Sequence, residues 1–285
     1  IHLLYHCTQI GATLTDSDYI SHFTDLSGGR LRVHRWGGGV RLLLCLHGYG
    51  DTGERFGGLA RALGNEYTVI APDLPWHGAT EWKKKSFDAW DVQEMAESLM
   101  ALENKADCIL LGHSWGARLV MSALPLLSEQ VSSAYFIAPG GFDPASRWAG
   151  EKLPLWLRNA LIYSVEHHTG RWLAFARWCV KMGWASASTL RFFQSSLETP
   201  ERRARLMAVW KNLYGFRIRR APLQALSVPK CFIVGGRDML VSPHAVRDFA
   251  HGLPNTRFIT LLDCGHWPDG DRKSTRLNSS HANIS

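Results

Sequence analysis

Gly112-His113-Ser114-Trp115-Gly116 constrains the architecture of this chain more than any other stretch. It follows an apolar run at 108–111 that has strand length. It opens residues 115–127, whose apolar positions recur at helical spacing. A strand that gives way to a helix so abruptly must turn sharply. Such a turn holds Ser114 in strained backbone and needs a small residue on either side for close packing. The helix N-terminus also aims its N–H groups at any negative charge that develops nearby. This is G-x-S-x-G in strand–turn–helix context, the setting in which a serine hydroxyl is presented as a nucleophile.

The rest of the chain repeats the alternation. Strand patterns are read at 30–36, 42–46, 67–71 and 134–138, and helix patterns at 52–63 and 90–102. The unbroken apolar run at 42–46 is expected of a strand covered on both faces. Lys83-Lys84-Lys85 lies in a polar loop and is read as solvated surface. From 142 to 221 the alternation stops in favour of helical patterns. It resumes with a strand at 230–234, a helix at 243–253 and a strand at 257–262. This predicts an α/β core, a mostly parallel sheet with helices on both faces, interrupted by one helical insertion. Apolar content of 46% and charged content of 20% exclude a disordered chain. No apolar run approaches the roughly 20 residues of a membrane span. Six cysteines show no C-x-x-C spacing, which argues against a zinc site or redox motif. They are read as free thiols, with Cys45, Cys108 and Cys231 in or beside strands, and so as a sign of a reducing, cytoplasmic compartment.

The candidate chemistry collects at strand ends. His47-Gly48-Tyr49-Gly50 closes the strand at 42–46, where the Tyr49 N–H could face an oxyanion together with the N–H of Trp115. His47 is read as a brace for that loop. Asp238 follows the strand at 230–234, and His266 follows the last strand. The order Ser114, Asp238, His266 allows a nucleophile, a base and an orienting acid, all on the edge where parallel sheets bind ligands. Asp263 is the less favoured orienting acid. His167-His168 are adjacent on a helical pattern and diverge, which argues against a shared metal.

On these motifs the sequence resembles the α/β-hydrolase superfamily over roughly residues 20–270. The matches are H-G-Y-G at 47–50, A-P-D-L-P-W-H-G at 71–78, G-H-S-W-G at 112–116, G-G-R-D at 235–238 and G-H-W-P at 265–268. The resemblance implies an α/β-hydrolase core at 18–142 and 222–270, with a helical cap at 143–221. It implies a serine hydrolase that cleaves a carboxylic ester or thioester of a small-molecule acyl substrate through an acyl-enzyme. No cofactor and no metal are implied. The alternatives are a C–C bond hydrolase, a cofactor-free haloperoxidase-like enzyme, or a non-catalytic ligand-binding member. Ser114, where epoxide hydrolases and haloalkane dehalogenases carry Asp, sets the chain apart from those relatives. H-G-Y-G differs from the H-G-G-P-G of proline iminopeptidases. Asp73 and His77 are assigned by the resemblance to a structural turn. Relatives also carry a final helix after the His loop.

The polar stretch 271–285 reads as translated sequencing-adapter DNA and is left out of the fold. Residues 1–15 lack the basic and cleavage features of a signal peptide. Charge is uneven. The segment 143–222 holds 14 Lys/Arg against 5 Asp/Glu, while 1–142 holds 11 against 15. The cap also carries Trp148, Trp156, Trp172, Trp178, Trp184 and Trp210. The preferred reading turns these tryptophans towards pocket and core and the arginines towards water. The sharper reading is a cap that attracts a lipid surface or anionic substrates, the latter steered by side chains such as Arg158, Arg171 or Arg177; of the partners, contact with a membrane surface is allowed but disfavoured. Nucleic acid is not expected as a partner.

Overall fold

Leu42, Leu44 and Leu46 pack into the core on one side of the sheet, and Leu43 and Cys45 into the core on the other. Two buried faces explain why this strand reads as an unbroken apolar run. The computed structural model describes residues 18–142, 154–183, 187–212, 216, 218–267 and 282–284. The strands are β1 (Tyr19–Leu26), β2 (Gly29–Gly37), β3 (Arg41–Leu46), β4 (Tyr67–Pro72), β5 (Glu81–Trp82), β6 (Cys108–His113), β7 (Val131–Ile137), β8 (Lys230–Gly235), β9 (Thr256–Leu261) and β10 (Ala282–Ile284). They form one sheet in the order β1-β2-β4-β3-β6-β7-β8-β9-β10, with the short β5 beside β2. The run from β4 to β9 is parallel, whereas β1, β2, β5 and β10 pair antiparallel.

Helices cover both faces. On one side lie α2 (Ala89–Leu102), α3 (Trp115–Ala123) and α9 (Pro243–Ala250), which contribute Val92, Met95, Leu99, Leu119, Val120 and Val246 to the larger core. On the other side α1 (Gly57–Leu63) contributes Ala60 and Leu63. The apolar spacing of 90–102 appears intact in α2, which a capping box opens: the Asp88 side chain accepts from its N3 amide, and Asp91 reaches back to the Asp88 amide.

Several boundaries differ from the sequence reading, each for a local reason. The helix read at 52–63 begins as a 3-10 turn at Gly53–Phe56 before the α-helix. The helix read to 127 stops at Ala123, because Pro125 has no N–H with which to continue the ladder. The helix read to 253 stops at Ala250, ahead of Gly252 at φ 76°. β1 was assigned no element; it pairs with β2 on one side and is half-buried at the sheet edge, so its apolar alternation is weak. Within the stretch excluded as adapter-derived, Ala282–Ile284 pairs antiparallel with β9. Backbone groups at a strand edge accept an extended segment with little regard to its side chains.

Between β7 and β8 the described residues form α4 (Leu155–His167), α5 (Thr169–Lys181), α6 (Ala187–Leu197), α7 (Pro200–Asn212) and α8 (Arg220–Gln224). Ile162, Val165, Leu197, Leu206 and Met207 give this helical segment a small core of its own. It is tied to the sheet domain by named bonds. Arg205 Nε donates to the Trp76 carbonyl at 2.8 Å, and Asn212 Oδ1 accepts from the Phe87 amide at 3.0 Å. Arg118 Nε donates to the Phe216 carbonyl at 2.6 Å. Trp172 and Trp210 are partly buried against the segment's core, but Trp156 and Trp178 are exposed, contrary to the expected inward orientation. Trp148 and Trp184 lie outside the described residues, as does the side chain of Arg158. Arg171 and Arg177 are exposed. No described helix is long and apolar enough to cross a membrane.

Candidate active site

Ser114 stands where β6 gives way to α3, at φ 52° and ψ −109°. A non-glycine residue held at positive φ stores strain on the order of 1–3 kcal/mol, sustained by the packing around it. That packing is visible at Gly116, where an added Cβ would sit 2.1 Å from the Leu46 carbonyl oxygen. The helix therefore lies against the end of β3 more closely than any side chain would permit. Trp115 supplies the first amide of α3, one of the four N–H groups that a helix leaves without an intrahelical acceptor.

The turn after β3 comes to the same place. Its closing bond runs from the Asp51 amide to the Gly48 carbonyl at 3.3 Å, which makes Tyr49 its second residue. A Cβ on Gly48 would meet His113 Nδ1 at 2.8 Å and Ser114 Cβ at 3.3 Å, so this backbone passes directly over the serine. His47 fixes the turn. Its Nδ1–H donates to the Gly48 carbonyl at 2.7 Å, and its Nε2 accepts from the Leu74 amide at 2.9 Å. Burial lowers the His47 pKa and keeps the ring neutral, which that acceptor role requires. The ring of Tyr49 packs partly buried against the helical segment, and its hydroxyl bonds Ser196.

His266 and Asp238 reach Ser114 from the ends of β9 and β8. His266 Nε2 lies 3.0 Å from Ser114 Oγ, and His266 Nδ1 lies 2.8 Å from Asp238 Oδ2. The Asp238 side chain is fully buried; its other oxygen accepts the Leu240 amide at 2.8 Å and the Val241 amide at 3.0 Å. Burial alone would raise this carboxyl, but the His266 contact and the two amides outweigh it and hold the pKa below the ordinary carboxylate range. An ionised Asp238 assigns the His266 proton to Nδ1 and leaves Nε2 as the acceptor for the serine hydroxyl. Asp263 takes no part: it pairs with Arg237 at 2.7 Å, and both are largely exposed.

One further histidine belongs to the arrangement. His113 Nε2 lies 3.1 Å from the His266 carbonyl and donates to it, and its ring meets Trp267 edge-on at 4.3 Å between centroids. Burial depresses its pKa to about 3, so it remains a neutral strut between the serine turn and the histidine loop. The sequence reading assigned it no role. The available signal was its place beside Ser114, but only the fold brings the chain at 266 next to it. Asp73 and His77 have the structural character expected of them. Asp73 accepts from the Gly53 amide at 2.8 Å, the Ala79 amide at 3.0 Å and His34 Nε2 at 3.1 Å. His77 donates from Nδ1 to the Pro75 carbonyl at 2.9 Å and is buried, with its pKa pushed down to about 3.

A serine hydroxyl, an imidazole acceptor and a buried carboxylate in this series allow the hydroxyl to lose its proton as it attacks an electrophile. Among the described residues no cluster of His, Cys, Asp or Glu could hold a metal ion.

Known proteins share this framework. Residues 41–269 match the family described as the alpha/beta hydrolase fold. Esterase YbfF of Escherichia coli is 23% identical over 238 residues, which cover 83% of this chain and 90% of the relative. The magnesium-chelatase 30 kDa subunit of Rhodobacter capsulatus is 27% identical over 242 residues, 79% of this chain and 80% of the relative. Among solved structures, the thioesterase domain from the curacin biosynthetic pathway superposes with a TM-score of 0.60 at 18% identity, covering 87% of this chain and 94% of that domain.

Proposed function

This chain belongs to the α/β-hydrolase family, and from that premise we propose that it is a serine hydrolase of carboxylic esters or thioesters, with Ser114 as nucleophile. The observation that carries this reading is the continuous contact from Ser114 Oγ through His266 to the buried carboxylate of Asp238, at 3.0 and 2.8 Å. The names of the E. coli esterase and the curacin thioesterase domain agree with it. Ser114 Oγ attacks the acyl carbonyl while its proton passes to His266 Nε2. The carbonyl oxygen becomes an oxyanion held by the Tyr49 and Trp115 amides. His266 then gives the proton to the departing alkoxide or thiolate, which leaves an acyl group on Ser114. Water, deprotonated by His266, attacks that acyl-enzyme and releases the acid. Asp238 holds the imidazole in its tautomer and stabilises the imidazolium. The helical segment at 143–221 serves as the cap, since Tyr49, from the turn beside Ser114, packs against its core, and Arg205 of α7 ties it to the turn after β4.

Partitioning tests this scheme. A p-nitrophenyl ester and a thioester of one acid, hydrolysed in buffer with methanol, pass through the same acyl-enzyme. The ratio of free acid to methyl ester should therefore be the same for both substrates. A ratio that changes with the leaving group contradicts a common intermediate. Failure to turn over either substrate points instead to a different electrophile or to a binding role.

A further inference from the structure

None of the residues of α5 is buried, and its main contacts are with α4 and α6. Its inner side is accounted for. Trp172 and Leu173 pack against the core of the helical segment, and the Trp172 indole N–H donates to Ser164 Oγ at 3.1 Å. The outer side is unusual. Phe175, Trp178 and Met182 are 51%, 44% and 51% exposed. Their spacing of three and four residues puts them in one stripe, with Arg171 one turn before Phe175 on the same line. Met182 continues the helical path, with its amide donating to the Trp178 carbonyl at 2.9 Å. The Phe175 and Trp178 rings stack at 5.8 Å, which makes a contiguous apolar ridge where an ordinary surface helix carries polar residues. Arg177 and Lys181 flank the ridge, both exposed, and α5 contains no acidic residue. Across 154–183 the sequence carries Arg158, Arg171, Arg177 and Lys181 against Glu166 alone. α4 adds two more exposed aromatics, Trp156 and Tyr163.

We propose that the outer face of α5 is a docking surface for an anionic lipid bilayer, on which Phe175, Trp178 and Met182 enter the headgroup boundary while Arg171, Arg177 and Lys181 meet lipid phosphates. An apolar stripe with aromatic and flexible side chains, shouldered by cations and lacking anions, has the composition of helices that lie in the plane of a membrane interface. A partner protein of ordinary mixed charge would leave these cations facing no particular counter-charge. A bilayer of anionic lipid meets all of them at once. The exposure of Trp178 departs from the inward orientation expected of the tryptophans, and it is the ground on which membrane contact, disfavoured from sequence, is proposed. This inference does not depend on the reaction catalysed.

Co-sedimentation with vesicles of phosphatidylglycerol or phosphatidylcholine tests it, with the whole chain and with two variants. Phe175→Gln/Trp178→Gln removes the ridge; Arg177→Gln/Lys181→Gln removes two cations. All four positions are exposed, so circular dichroism should show both variants folded. Wild type should bind phosphatidylglycerol vesicles well above phosphatidylcholine vesicles, and the difference should shrink between 0.05 and 0.5 M salt. The ridge variant should bind roughly tenfold or more weakly. The cation variant should lose about fivefold per charge removed, with a shallower salt dependence. Equal binding to both lipids, or binding unchanged in the ridge variant, overturns the proposal. So does a concentration-dependent dimer of wild type that the ridge variant abolishes without any vesicle binding, because the stripe would then be an interface between copies.

Discussion

Replacing Ser114 with alanine is expected to lower turnover of an activated ester by about four to six orders of magnitude, with no comparable change in substrate binding. The proposed nucleophile contributes only after the substrate is in place, so the loss should appear in kcat. His266→Ala should cost a similar factor, because Ser114 keeps its proton without the imidazole 3.0 Å away. Groups that act as one unit do not add: the double variant should be nearly as active as either single variant. Asp238→Asn should cost about four orders of magnitude, since a carboxamide can donate to Nδ1 and turn the imidazole to the wrong tautomer. Melting temperatures should stay near wild type for Ser114→Ala, where one oxygen is lost and the strained backbone remains. A Ser114→Ala protein that retains esterase activity removes Ser114 from the chemistry.

The second large effect is on stability and lies at Asp73. This buried carboxylate gathers the Gly53 and Ala79 amides and His34, whose Nδ1 in turn accepts from the Tyr19 hydroxyl at 2.8 Å. The network binds the turn after β4 to the loop after β3 and to β2 and β1. Asp73→Ala leaves these donors without their acceptor, and breaking a buried charged network by removing one member typically costs about 3–5 kcal/mol. In a domain of this size each kcal/mol lowers the melting temperature by roughly 2–4 °C. The pH dependence has a definite sign. Burial would raise the Asp73 pKa, but the hydrogen bonds from His34, Gly53 and Ala79 prevail and the folded value is lowered. A depressed carboxylate pKa stabilises the fold fully above its unfolded value of 3.8, and that contribution is lost as pH falls through the lower folded value. Urea unfolding at pH 7 should therefore show the full gap between wild type and Asp73→Ala, and the gap should narrow below about pH 4. A gap that is small at pH 7, or that widens in acid, contradicts this account.

Much of the site was legible because its residues sit at strand ends inside short motifs. Ser114, Asp238 and His266 each follow an apolar run, and parallel topology carries all such ends to one edge. The cross-links between loops were not legible. His113 meets the chain at 266, and Arg205 meets Trp76, through separations that no local pattern records. β3 was plain because both its faces are buried, whereas β1, half-exposed at an edge, lacked the contrast that a period of two requires. Composition located the helical insertion but not its orientation. The spacing of Trp172 and Trp178 places them on different sides of α5, yet which side meets the core depends on α4 and α6.

The central claim, that Ser114 is an activated nucleophile, is tested most directly by a fluorophosphonate, which phosphonylates a serine only where a neighbouring base takes up its proton. Ser114 is partly exposed and open to such a reagent. Intact-mass analysis should show one adduct per chain, and peptide mapping should put it on Ser114. Ser114→Ala should take up no label, and His266→Ala should label at a small fraction of the wild-type rate. A folded protein that takes up no label, or an adduct on a residue other than Ser114, would contradict it.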